Sequence, residues 1–143
     1  MTGPPTAAPW RIVYFKRDRR DDPAETRPGR AFLASCPVNI AARLIAFLDA
    51  VRDAPPPKFA GGGLWEAMHD DMSGYYEVRT RARKQLYRLF CLLEHQQPGL
   101  PADCIVVITG MVKETATAFR PADYAYVRSL GDEYRSRSPR SVG

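Results

Sequence analysis

The sequence predicts an α+β fold: a small, mostly antiparallel sheet packed by helices from the N-terminal half, with one helix at the C-terminal end. Two patterns and the length carry this. Stretches of β-branched and aromatic residues alternate with stretches of helical spacing in the order strand, helix, helix, three strands, helix. Consecutive strand candidates beside a run of helices suit hairpins rather than βαβ crossovers. The 143 residues are the length of one domain, and a chain of this size buries roughly two-thirds of its unfolded surface.

The elements follow in order. Residues 1–9 (MTGPPTAAP) are rich in Pro and Ala and read as a disordered segment; the domain spans 10–135. Trp10 to Phe15 (WRIVYF) is aromatic and β-branched, hence a strand. Lys16 to Arg30 is charged and interrupted by Pro, a loop that enters a short helix through Phe32 and Leu33. Pro37 to Asp53 is the strongest helix: Pro37 suits its first position, and Val38, Ala41, Ala42, Ile45 and Leu48 recur at helical spacing. Leu44, Phe47 and Val51 widen that stripe, and Pro55, Pro56 and Pro57 end the helix. The Gly-rich segment 60–74 is ambiguous, and Leu64 to His69 fits either a helical turn or a short strand.

Three strands come next: Tyr75 to Arg81, Gln85 to Glu94, and Cys104 to Met111. The last is apolar almost throughout, as a central strand should be. Ala82, Arg83 and Lys84 make a hairpin turn without the usual Gly or Asn. Pro121 to Tyr134 is a helix with Tyr124, Val127 and Leu130 on one face. Residues 136–143 read as a disordered basic tail.

Composition excludes several classes. No run of 18 apolar residues exists, so a membrane-spanning helix is not expected. The first residues lack a basic stretch followed by an apolar one, so the expectation is a cytoplasmic chain without a signal peptide. Cys36, Cys91 and Cys104 have neither disulfide-framework nor zinc-ligand spacing, and no cofactor or metal is expected. There is no GxSxG elbow, and the glycines at 61–63 lack the GK[ST] ending of a phosphate loop.

What remains is charge. The chain carries a net +5, and 17 of its 21 cations are Arg. Residues 73–143 alone hold eleven cations against seven acids. That balance suits a nucleic-acid partner, or a surface on which Arg simply serves as the solvated cation. Five cations fall within residues 79–88: Arg79, Arg81, Arg83, Lys84 and Arg88. Side chains alternate across a strand, so Arg88 shares a face with Leu86, Phe90 and Leu92. An Arg on an apolar strand face needs a carboxylate or an anion; Glu77 across the hairpin is one candidate and a bound phosphate is the other. Lys113 leaves the apolar strand near these arginines if the strands are neighbours.

Four features together resemble the RelE/ParE toxin superfamily, in particular its HigB-like, phage-derived branch. They are the N-terminal WRIVYF strand leading into helices, GYYEVR (Gly74 to Arg79), LYRLF (Leu86 to Phe90), and an apolar strand ending in ITGMVKET (Ile108 to Thr115) before a C-terminal helix. The resemblance covers roughly residues 10–135.

It implies a RelE-like fold and the toxin of a type II toxin–antitoxin pair, an endoribonuclease that cuts mRNA on the ribosome and has a cognate antitoxin as partner. In that chemistry a 2′-hydroxyl attacks the adjacent phosphate without a metal. The resemblance assigns the catalytic cations to Arg79, Arg88 and Lys113 and a backbone contact to Arg81; Arg83 and Lys84, from the same run of cations, are the further RNA-binding candidates. Glu77 and Tyr124 are the candidates for proton transfer. The sequence departs from the pattern at Phe119, near which such enzymes usually carry a Tyr, and it has no His after His95. Two other functions therefore stand beside it: a ParE-like topoisomerase poison and a noncatalytic basic interaction module.

Overall fold

The structure, a computed structural model, describes residues 10–54 and 64–143. The Pro-rich segment 1–9 and the glycines at 61–63 lie outside the described residues. The elements are β1 (Arg11–Tyr14), α1 (Pro28–Ser35), α2 (Val38–Asp53), β2 (Trp65–Ala67), β3 (Tyr75–Ala82), β4 (Gln85–Glu94), β5 (Cys104–Glu114) and α3 (Pro121–Arg135). A 3₁₀ turn, Asp70–Met72, links β2 to β3. The five strands form one sheet in the order β1-β5-β4-β3-β2. It is an α+β fold, as expected, but the sheet is mixed: β1 runs parallel to β5, while the other three pairings are antiparallel. Leu64 to His69 resolves as strand, since Trp65 pairs with Val78 and Ala67 with Tyr76.

Helices cover both faces. On one, α1 and α2 lay Leu33, Ile40, Leu44, Leu48 and Val51 over Val78, Leu89, Cys91, Ile105 and Val107. The buried stripe of α2 is thus Ile40–Leu44–Leu48–Val51, at the i, i+4, i+8, i+11 spacing of a single face. Of the stripe read from the sequence, Leu44, Leu48 and Val51 lie on this face, whereas Val38 is 87% exposed and Ile45 41%. Alanine runs on both sides of α2 make the apolar arc too wide for composition alone to choose its centre. The other face packs Val127, Leu130 and Tyr134 of α3 against Tyr75, Phe90, Leu92, Val106 and Ile108. Gly131 is required there, because a Cβ would fall 1.8 Å from the Tyr75 hydroxyl.

Two local features depart from the sequence reading. The first is a bulge in β5. Phe90 pairs with Thr109, but Cys91 pairs with Val107, so Ile108 is the extra residue. Without it Lys113, six residues from Val107, would point to the α1/α2 face. With it Lys113 sits opposite Leu86, on the same face as Arg88. The second is the C-terminal segment, expected as a disordered tail. It is ordered: Val142 bridges Phe15, Lys16 N–H donates to the Ser141 carbonyl at 3.1 Å, and Gly143 N–H donates to the Tyr14 carbonyl at 3.0 Å. Arg140 adds a two-pronged pair to Glu94, at 3.1 and 3.2 Å. Backbone pairing and a largely buried Glu94 hold a segment whose composition alone signals disorder.

Candidate functional site

Strand alternation sets the residues of the α3 face into cross-strand rows. Glu66, Glu77, Phe90 and Thr109 form one; Arg79, Arg88 and Met111 the next; Arg81, Leu86 and Lys113 the third. Helix α3 covers the sheet on the near side of these rows and leaves the last two open. They line a cleft of about 500 Å³ that takes in Arg79, Arg81, Arg88 and Lys113. Four of the cations singled out from the sequence therefore converge. The other two, Arg83 and Lys84, occupy the hairpin turn and line a separate cleft with Pro37 and Asn39 at the start of α2.

The like charges of Arg79 and Arg88, directly opposed across the hairpin, are reconciled by carboxylates. Arg79 reaches Glu66 at 2.9 Å and Glu77 at 3.6 Å, and Arg88 reaches Glu77 at 3.1 Å. The Glu77 side chain is 8% exposed and that of Arg88 14%, so this pair is largely desolvated. Its geometry is Coulombic rather than interlocked: neither Glu77 Oε2 nor Arg88 Nε has a hydrogen-bond partner among the described residues. A guanidinium carries five donors. Arg88 also donates to the Tyr124 hydroxyl, at a long 3.4 Å, and so keeps donor capacity for an anion. Four cations against two carboxylates leave the rows with two positive charges in excess.

Aromatic rings back the cations. Phe119 lies beneath both Arg88 and Lys113, 4.9 Å from the guanidinium carbon of the first and 5.5 Å from Nζ of the second. It is braced by Phe90 and Tyr124 at centroid distances of 6.2 and 5.8 Å. Lys113 also donates to the Thr117 carbonyl. On the opposite side of β3, Arg43 of α2 donates to Thr80 Oγ1 and the Arg81 carbonyl, both at 3.1 Å, fixing the strand that carries Arg79 and Arg81.

Sequence reasoning missed Glu66, Phe119 as a shared cation platform, and Arg43. Glu66 belongs to the segment left between turn and strand, and its pairing with β3 is what would have exposed it. Among the described residues no three His, Cys, Asp or Glu side chains gather in a way that could hold a metal ion, and no helix is long and apolar enough to cross a membrane.

The arrangement can bind a phosphodiester. Two guanidiniums and an ammonium, fixed before any ligand arrives, sit where negative charge could develop on phosphate oxygens. The Tyr124 hydroxyl beside Arg88 can carry a proton. Glu77, enclosed under two guanidiniums, suits a fixed counter-charge better than a base that must exchange protons with solvent. Compared with protein-family models, curated proteins and solved structures, the chain gives no match.

Proposed function

We propose that this chain is the toxin of a type II toxin–antitoxin pair, a metal-independent endoribonuclease that cuts mRNA on the ribosome. The observation that carries the proposal is the meeting of Arg79, Arg88 and Lys113, with Arg81 beside them, in one open cleft. In the proposed reaction the 2′-oxygen forms a bond to the adjacent phosphorus as its proton departs. The bond from phosphorus to the 5′-oxygen breaks, and that oxygen takes up a proton. The products are a 2′,3′-cyclic phosphate and a 5′-hydroxyl. Arg88, Arg79 and Lys113 offset the charge of the phosphorane, and Tyr124 is the hydroxyl available for proton transfer. The cognate antitoxin would cover the excess positive charge with an acidic segment.

One observation favours a second function. Phe119 offers no hydroxyl beneath the cations, and Glu77 and Glu66 already neutralise part of the cation cluster. A ParE-like poison, which binds a topoisomerase without chemistry, needs no more than this surface.

The test is induced expression of wild type beside Arg88→Ala, with growth measured and cellular mRNA 5′ ends mapped. Growth arrest with new cuts inside reading frames, both lost in the variant, is the expected result. Arrest with intact mRNA would move the assignment to the topoisomerase poison, and no arrest would leave the noncatalytic module.

A further inference from the structure

A second cleft, of about 440 Å³, lies on the far side of Phe119 and Tyr124 from the cations. Its other walls include Asp70, Asp71, Met72 and Arg128. The two rings are therefore a partition with opposite chemistry on its sides. Toward β4 and β5 they meet Arg88 and Lys113. Toward the 3₁₀ turn they meet two carboxylates, the His69 imidazole, the thioethers of Met68 and Met72, and one guanidinium. A phosphate is attracted to the first side and repelled by the carboxylates of the second, whereas a neutral planar group with hydrogen-bonding edges fits the second.

Resting on the reading of the first cleft as a phosphate site, we propose that the second cleft is a nucleobase subsite selecting guanine in the same RNA. The aromatic rings supply stacking surface, which every base can use. The edge chemistry makes the choice. Arg128 is half-buried, and its hydrogen-bond partner here is the Met72 thioether at 3.7 Å, a weak acceptor that a base oxygen or ring nitrogen outcompetes. The Asp70 and Asp71 carboxylates accept only. Guanine offers O6 and N7 to the guanidinium and its N–H edge to a carboxylate, so it satisfies both kinds of group at once. Uracil carries a single N–H and leaves the acceptors short of donors. The backbone of Asp70 has φ 54, a conformation Asn adopts as readily as Asp, so Asp70→Asn removes charge without removing the turn.

The experiment is an NMR titration of the full chain with the 5′-monophosphates of guanosine, adenosine, cytidine and uridine, and with guanosine itself. It is run on wild type, Arg128→Ala, the double variant Asp70→Asn/Asp71→Asn, and Arg88→Ala. Wild type is expected to bind the guanosine nucleotide about tenfold more tightly than the uridine nucleotide, the lower range for one good bidentate base contact. Arg128→Ala and the Asp double variant should each bring that preference close to one while leaving the uridine nucleotide's affinity unchanged. Arg88→Ala should weaken all four nucleotides and leave guanosine alone unaffected. Four nucleotides bound equally by wild type would overturn the base subsite while the phosphate reading stands. So would a guanine preference that survives both cleft variants. Guanosine binding as tightly as its nucleotide, with Arg88→Ala without effect, would retain the subsite and overturn the phosphate reading. No binding of any probe would overturn both.

Discussion

The two faces of the sheet do different work. Under α1 and α2 the surface is closed and apolar: Val78, Leu89 and Val107 are fully buried, and Leu44 and Leu48 of α2 sit on them without solvent contact. Under α3 only part of the sheet is closed. Tyr75, Leu92 and Val106 are covered, whereas the rows of Arg79–Arg88–Met111 and Arg81–Leu86–Lys113 extend past the helix into the cleft. The closed face can supply stability from apolar burial, at about 25 cal/mol per Å². The open end gives up that burial for fixed charge. The same strands thus carry apolar burial on one side and the cation cleft on the other, and with RNA binding proposed for that cleft, substitutions on the two sides should separate accordingly.

The largest effect is expected on the open end. Arg88→Ala should lower RNA cleavage by about 10²–10³, the range for losing one preorganised charge-stabilising donor. It also removes one of the two guanidiniums facing Glu77, so unfolding free energy in urea should fall by about 1 kcal/mol. Adding Glu77→Gln should recover that stability and leave cleavage lost. If the second substitution restored both together, Arg88 would be a structural ion pair and the comparison between faces would break.

On the closed face, Leu44→Ala should cost about 3 kcal/mol of stability through lost burial and a cavity between α2 and the sheet. RNA affinity per folded molecule should not change, which a binding titration well below the melting temperature can check. The ordered C-terminus allows a smaller test away from the cleft. Arg140→Ala breaks the two-pronged pair to Glu94, which also accepts from Tyr134, and should cost about 2 kcal/mol with no change in RNA binding. An unchanged urea midpoint would mean that the Val142–Phe15 pairing holds the segment without it.

Most of the framework was legible in the sequence because it rests on local pattern. The alternation put Arg79 and Arg81 beside Glu77 on one face of β3 and Arg88 on the apolar face of β4, with Glu77 one candidate partner; the register of the hairpin then joins these faces. What was not legible depends on register and long-range pairing. The same alternation carried along β5 puts Lys113 on the wrong face, and only the bulge at Ile108 returns it to Arg88. The parallel pairing of β1 with β5 and the strand-like return of Val142 to Phe15 join residues more than ninety positions apart, and neither leaves a periodic signature. The stripe of α2 was legible in Leu44, Leu48 and Val51 but not in its edges: small residues on both sides blurred its centre, so tertiary packing buried Ile40 and left Val38 and Ile45 outside.

The smallest effects sharpen the comparison by separating charge from positioning. Arg81→Ala removes one cation from the proposed phosphate cleft, so the slope of log affinity against log salt for single-stranded RNA should become shallower by about 0.7. Phe119→Leu removes no charge and should leave that slope unchanged. Leu keeps apolar bulk against Phe90 and Tyr124 but loses the ring face under Arg88 and Lys113. A partly exposed cation–π contact is worth about 0.5–1 kcal/mol, so two of them predict an affinity loss of roughly fivefold to thirtyfold at fixed salt. An unaltered affinity would mean that Glu77 and the Thr117 carbonyl alone hold the two cations in place. A shallower slope would mean that the ring governs how many phosphates the cations can reach at all.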